Sequence, residues 1–349
     1  MKKTRFLKLI GILAILTLML VACSDSSKES NGSNDTNQEQ KTTETKGTEE
    51  AAKPTTVEIT DAHGTVTVPV NPKNVVSLDS RTFETLADWD IKLAAAPKDV
   101  MPAESPYVSD ESVQNIGNHR EPNLEILAAA DPELVIIGQR FAKYYEDIKK
   151  LVPNAAVIDL NFDVSEEAEK PGENLVQGFK DATITLGQIF DKNEEAKQLV
   201  ADFDKAIEDA KSAYNGSDTI MGVEVSGGNI GFSAPQFGRV WGPMYEIFGW
   251  KPALEIENAT SDHKGDDISV EAIAQSNPDW LFVLDRDAAV SSTTDAVPAQ
   301  DVIDNSPALQ NVTAVSKGQI VYAPNDTYTN ESIQTFIEIF ENLANTLAK

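Results

Sequence analysis

Two stretches far apart in this chain repeat one pattern. Pro122-Asn123-Leu124-Glu125-Ile126-Leu127 leads into Asp131-Pro132-Glu133-Leu134-Val135-Ile136, and Ile268-Ser269-Val270-Glu271-Ala272-Ile273 leads into Asn277-Pro278-Asp279-Trp280-Leu281-Phe282. In each, a glutamate early in a predicted helix stands seven residues before a proline that opens an apolar run. Such a short run, without polar alternation, reads as a strand buried on both faces, as in a parallel sheet covered by helices. A chain holding this unit twice is expected to form two similar α/β lobes. Its 349 residues are too many for one comfortable core and suit two.

The remaining pattern agrees. Thr56-Val57-Glu58-Ile59 and Val66-Thr67-Val68 alternate as a hairpin turning at His63-Gly64. Short apolar strands are predicted at 75–78, 134–137, 156–160, 219–225, 280–284 and 319–322. Helices are predicted over 82–89, 124–130, 173–190, 194–214 and 331–347. The expected division is a first lobe over 56–170, a linking helix over 171–191 and a second lobe over 192–349.

The beginning of the chain has a different character. Lys2, Lys3, Arg5 and Lys8 precede the apolar run Leu9–Val21, too short to span a bilayer and suited to the core of a signal peptide. Leu20-Val21-Ala22-Cys23 resembles a bacterial lipobox, which implies a leader over 1–22, cleavage before Cys23 and diacylation of its thiol. Residues 23–55 are Ser, Thr, Asn, Gln, Glu and Lys with hardly an apolar side chain, a composition for a flexible tether. Cys23 is the sole cysteine, so no intrachain disulfide or multi-thiolate metal site can form. With 56 Asp and Glu against 29 Lys and Arg the formal charge is −27, which disfavours nucleic acid as a partner.

Lipobox, tether, two lobes and one linking helix together resemble the ABC-importer substrate-binding proteins that carry siderophores and vitamin B12. Asp61-x-x-Gly64-x-x-x-x-Val68-Pro69…Pro72-Lys73-x-Val75-Val76 is similar to the start of the iron-siderophore members. Leu124-Glu125…Pro132-x-Leu134-Val135-Ile136 is similar to their most recognisable internal segment. The resemblance covers about residues 56–348 and is nearest the catecholate (petrobactin- and enterobactin-type) binders. It implies two Rossmann-like α/β lobes on a stiff helix, and a shallow cleft that captures a ferric siderophore. It also implies a monomer on the outer face of the cell membrane, delivery to a permease dimer, and no covalently held cofactor.

Three arginines stand where such a cleft would open. Arg140 and Arg286 follow predicted strands by three and two residues, and Arg239 lies in the glycine-rich stretch 231–239. Ligands of open α/β sheets bind beyond the carboxyl ends of strands. Guanidiniums donate flat forks of hydrogen bonds and stack on rings, which answers a trianionic ferric tris-catecholate. The resemblance places the family's three catecholate arginines in these loops. Arg81 and Arg120 also fall near cleft loops. Phe141, beside Arg140, and Phe237 and Trp241, flanking Arg239, are candidates to stack on catechol rings, with Tyr107 and Phe232 behind them. His263 and Tyr328 lie where the resemblance places an imidazole and a phenolate that complete the Fe(III) shell when a siderophore offers too few donors. His63 and His119 are expected to face solvent. Glu125 and Glu271, matched by the repeat, are the pair the resemblance implies for docking the permease; each is equally a helix N-terminal carboxylate set against the macrodipole.

Other functions fit less well. A hydroxamate siderophore, haem or a corrinoid would suit the same architecture, but a near-neutral hydroxamate complex needs fewer arginines. A Zn or Mn receptor needs converging histidines, and the chain has three, scattered. An exported enzyme finds no G-x-S-x-G, H-E-x-x-H, P-loop or G-x-G-x-x-G in support.

Overall fold

The computed structural model describes residues 54–262, 264–290 and 296–348. The hairpin forms from β1 (Thr56–Asp61) and β2 (Gly64–Pro69), paired antiparallel with Asp61 opposite Gly64. Two five-stranded sheets follow. The first joins β3 (Val75–Ser77), β4 (Leu93–Ala96), β5 (Gln114–Asn115), β6 (Leu134–Ile137) and β7 (Ala156–Asp159) in the order β5-β4-β3-β6-β7, every pairing parallel. The second comprises β8 (Thr219–Ser226), β9 (Asn229–Ser233), β10 (Lys251–Pro252), β11 (Trp280–Asp285) and β12 (Ile320–Tyr322). Its order is β10-β8-β11-β12, all parallel, with β9 antiparallel on β8.

The apolar runs are buried on both faces, as their sequence required. In β6, Leu134 and Ile136 enter one core while Val135 and Ile137 enter another. In β11, Trp280, Phe282 and Leu284 face one core and Leu281 and Val283 the other. The helix Pro171–Ile189 opens on its proline and serves both sheets: Leu175 and Phe179 join the core of the second, Leu186 and Ile189 that of the first. The long helix Asn193–Ala213 packs against the final helix Ile333–Leu347, with Phe203 and Phe340 stacked 5.7 Å apart.

The repeat is structural as well as textual. Asn123 and Ser269 cap their helices, Asn123 accepting from the Ile126 amide at 3.1 Å and Ser269 from the Ala272 amide at 3.2 Å. Asp131 and Asn277 then adopt left-handed φ of 45° and 48°, each just before its proline. Both short polar side chains tolerate that conformation, which turns the chain from helix into strand.

The sequence reading differs from the fold around residue 231. Asn229–Ser233 is strand β9, reached through a tight turn at Gly227 and Gly228, whose φ values are +60° and +73°. The loop carrying Arg239 therefore begins only at Ala234.

Candidate functional site

Arg140, Arg239 and Arg286 converge on a single ring. Their guanidinium carbons lie 5.7, 4.0 and 5.1 Å from the centroid of Tyr328. Arg140 comes from the turn after β6, Arg286 immediately follows β11, and Tyr328 stands in the segment after β12. The backbone before two of these arginines has no room for a side chain. A Cβ on Gly138 would sit 2.3 Å from Asp79 Cγ, and one on Gly238 would sit 2.4 Å from Ser233 Oγ. A cleft of about 610 Å³ is lined by the three arginines, Tyr328, His119 and Lys98, among others. Its cationic lining contrasts with the acidic chain around it.

The arginines differ in how far they are already engaged. Arg239 donates through one terminal nitrogen to the Tyr328 carbonyl at 3.1 Å and to Glu331, and its Nε has no hydrogen-bond partner. Burial works against its charge, but Glu331, Tyr328 and Glu224 outweigh burial and hold its pKa above the ordinary value. Arg286 donates to Ser226 Oγ at 3.2 Å and lies 3.9 Å from Asp287, while its Nε is also unpartnered. For Arg140, burial and the like charge of Arg239 pull the pKa down. Guanidiniums that line one cavity are what an incoming multidentate anion would use.

Two buried groups stand out that the sequence did not mark. Glu331 is 6% exposed and bonded to Arg239; it also accepts from Gln139 Nε2 at 3.1 Å and lies 3.9 Å from Arg81 Nε. Burial would raise its pKa, yet Arg239, Arg81 and Arg140 together hold the carboxyl below the usual range. Glu224 on β8 is 1% exposed, and neither carboxyl oxygen has a hydrogen-bond partner. Burial pushes it up to about 8 despite the nearby charges of Arg239 and Arg286. Arg81, buried, lies 3.7 Å over the Phe162 ring and donates to the Phe162 carbonyl at 3.2 Å.

The aromatic candidates divide. Phe237 is partly buried and lines a smaller cavity of about 230 Å³ beside the cleft, together with Arg81, Arg239 and Glu331. Phe141 and Trp241 do not reach either cavity, contrary to the sequence expectation. Phe141 is 1% exposed because the helical turn Gln139–Tyr144 sends adjacent side chains in different directions and carries it into the core. Trp241 is fully buried at the mouth of the helix Gly242–Phe248, its ring 5.3 Å from Phe282. Tyr107 and Phe232 are likewise buried. Arg120 is exposed.

His119 differs from its expectation too: it is half-buried on the cleft wall, and burial followed by Arg140 lowers its pKa. His63 is exposed, as expected, but its ring also has partners: it meets Asp159 at 3.3 Å and stacks on Tyr145 with centroids 3.6 Å apart, which ties the hairpin to the first sheet. Cys23 and His263 lie outside the described residues. Glu125 and Glu271 are both exposed in the first turn of their helices. Among the described residues no helix is long and apolar enough to cross a membrane, and no group of three or more His, Cys, Asp or Glu is placed to hold a metal ion.

Known proteins match this architecture over nearly its whole folded length. The petrobactin-binding protein YclQ of Bacillus subtilis is 31% identical over 271 residues, 77% of this chain and 79% of that one. Its crystal structure superposes with a TM-score of 0.70, covering 84% of this chain and 99% of that one at 26% identity. The ferric-anguibactin-binding protein FatB of Vibrio anguillarum is 27% identical over 283 residues, 80% of this chain and 84% of its own. A family model described as periplasmic binding protein matches residues 75–327, from β3 to the residue before Tyr328. The chain, with its paired parallel sheets and the cleft they hold, belongs to the periplasmic binding protein family.

Proposed function

We propose that this protein captures a ferric siderophore, of catecholate type, in the 610 Å³ cleft and delivers it to an ABC importer, with no bond chemistry of its own. The observation that carries the reading is the ring of three guanidiniums, 4.0, 5.1 and 5.7 Å from Tyr328. Trianionic oxygens and flat catechol rings use both faces of what guanidinium offers, charge-assisted donation and stacking. The petrobactin- and anguibactin-binding relatives support it. A near-neutral hydroxamate complex would need fewer arginines than the cleft presents.

In this reading residues 1–22 are a leader, Cys23 carries lipid, and 23–55 tether a monomer at the outer face of the cell membrane. The first lobe spans 56–170, the linking helix 171–191 and the second lobe 192–349. Phe237 stacks at the rim, Tyr328 and His263 complete the iron shell for a siderophore with too few donors, and Glu125 and Glu271 face the permease. The direct test is fluorescence quenching by ferric tris- and bis-catecholates, a ferric hydroxamate, haem, cobalamin and Zn(II). Tight quenching by the ferric catecholates is expected; preference for hydroxamate or haem would overturn the ligand class.

A further inference from the structure

Glu331 brings a fixed negative charge to the place where an anionic ligand would look for guanidiniums. Three chain segments converge on it. Gln139 and Arg81 come from loops of the first sheet, Arg239 from the loop after β9. The backbone around it is tightly specified. Gln139 holds a left-handed φ of 26°, uncommon for a residue with a side chain, while its amide donates to Asn161 Oδ1 at 3.2 Å. Ser332, the next residue after Glu331, caps the final helix by accepting from the Thr335 amide at 3.0 Å. Both neighbours of Glu331 are fastened to Glu84 of the first lobe, Asn330 at 3.0 Å and Ser332 by its hydroxyl. The carboxylate is thus held in place from both lobes. Arg239, to which it is bonded, lines the main cleft and the smaller cavity alike.

We propose that Glu331 sets the charge selectivity of the cleft: its carboxylate offsets part of the guanidinium field and limits how far a polyanionic iron complex is preferred over a neutral one. The clustered guanidiniums call for such a counter-charge: three of them surround the Tyr328 ring, and Glu331 is bonded to the nearest, Arg239. The same carboxylate repels each negative charge that a ligand brings. Across several ångströms of part-buried protein, with an effective dielectric of about 20, one unit charge changes the preference for each ligand charge by about tenfold or more.

This inference rests on the anionic-ligand reading, so the experiment separates the two. Dissociation constants for a ferric tris-catecholate and a ferric trihydroxamate are measured on the whole protein and on Glu331→Gln and Glu331→Asp. Glu331→Gln should raise the catecholate-to-hydroxamate preference at least about tenfold, and Glu331→Asp, which keeps the charge, should leave it near the original. A parallel loss for both ligands, or an unchanged ratio in Glu331→Gln, would overturn the proposal in favour of a purely structural carboxylate. Should Glu331→Gln not fold, the same ratio is compared between Arg81→Gln/Glu331→Gln and Arg81→Gln, with the same tenfold gain expected. Binding of neither complex by the unaltered protein would refute the ligand class by itself. The charge proposal is then read from calorimetry with citrate, which Glu331→Gln should bind at least tenfold more tightly; no gain would end it.

Discussion

Replacing Glu224 by glutamine should flatten how the stability of this protein depends on pH. Glu224 is 1% exposed, both of its oxygens lack hydrogen-bond partners, and burial pushes it up to about 8 from an ordinary value of 4.5. Between those two values the folded protein keeps the proton while the unfolded chain has released it. The folded state then binds more protons, so stability falls as pH rises, by up to about 1.4 kcal/mol per pH unit from this group. The full contribution is present below the unfolded value and is lost by the folded one. Over the two units from pH 5.5 to 7.5 the loss is about 2–3 kcal/mol. Glutamine keeps the shape of the protonated acid and has nothing to titrate. Asp79, also pushed up by burial, to about 6, acts in the same direction in both proteins and cancels in the difference. Urea unfolding at pH 5.5, 6.5 and 7.5 should show Glu224→Gln gaining on the unaltered protein by about 2–3 kcal/mol across the series. Parallel curves would mean that Glu224 is ionised in the fold, and that Arg239 and Arg286 are paired with it rather than free for a ligand.

Binding and stability should separate cleanly at other positions. Arg140→Ala and Arg286→Ala each remove charge-assisted donors from the cleft and should weaken a ferric catecholate by about 1.5–3 kcal/mol in a quenching titration; unchanged affinity in both would refute the assignment. Trp241→Ala should instead cost about 3–5 kcal/mol of stability in a denaturant melt, because the indole is fully buried, with little change in affinity per folded molecule. Gly138→Ala should lower both stability and affinity, since the new methyl would meet the Asp79 carboxyl at 2.3 Å and displace the turn that presents Arg140; wild-type values for both would show that turn to be loose. Glu125→Ala and Glu271→Ala, both at exposed helix starts, should leave ligand binding intact and abolish uptake through the importer when combined; full transport by the double variant would sink the docking role.

The elements that could be read from the sequence are those in which local and tertiary preferences agree. Leu134–Ile137 and residues 280–284 are apolar throughout, and a strand buried on both faces accommodates them, so their place was legible before any packing was known. Leu93–Ala96 shows the opposite case. Three consecutive alanines favour helix locally, yet they form β4, with Ala95 and Ala96 fully buried, because parallel pairing with β3 overrides that local preference. The arginines were legible through strand ends, a property of topology that runs along the chain. Phe141 was not, because being next to Arg140 in sequence says nothing about direction within a helical turn. Glu331 carried no local mark at all among 56 acidic residues. What distinguishes it is the meeting of residues 81, 139 and 239 around one carboxylate, which no stretch of the chain contains. The charge selectivity proposed for this cleft is therefore a property of convergence: the sequence shows which cations stand at the strand ends, and only the fold shows which anion stands among them.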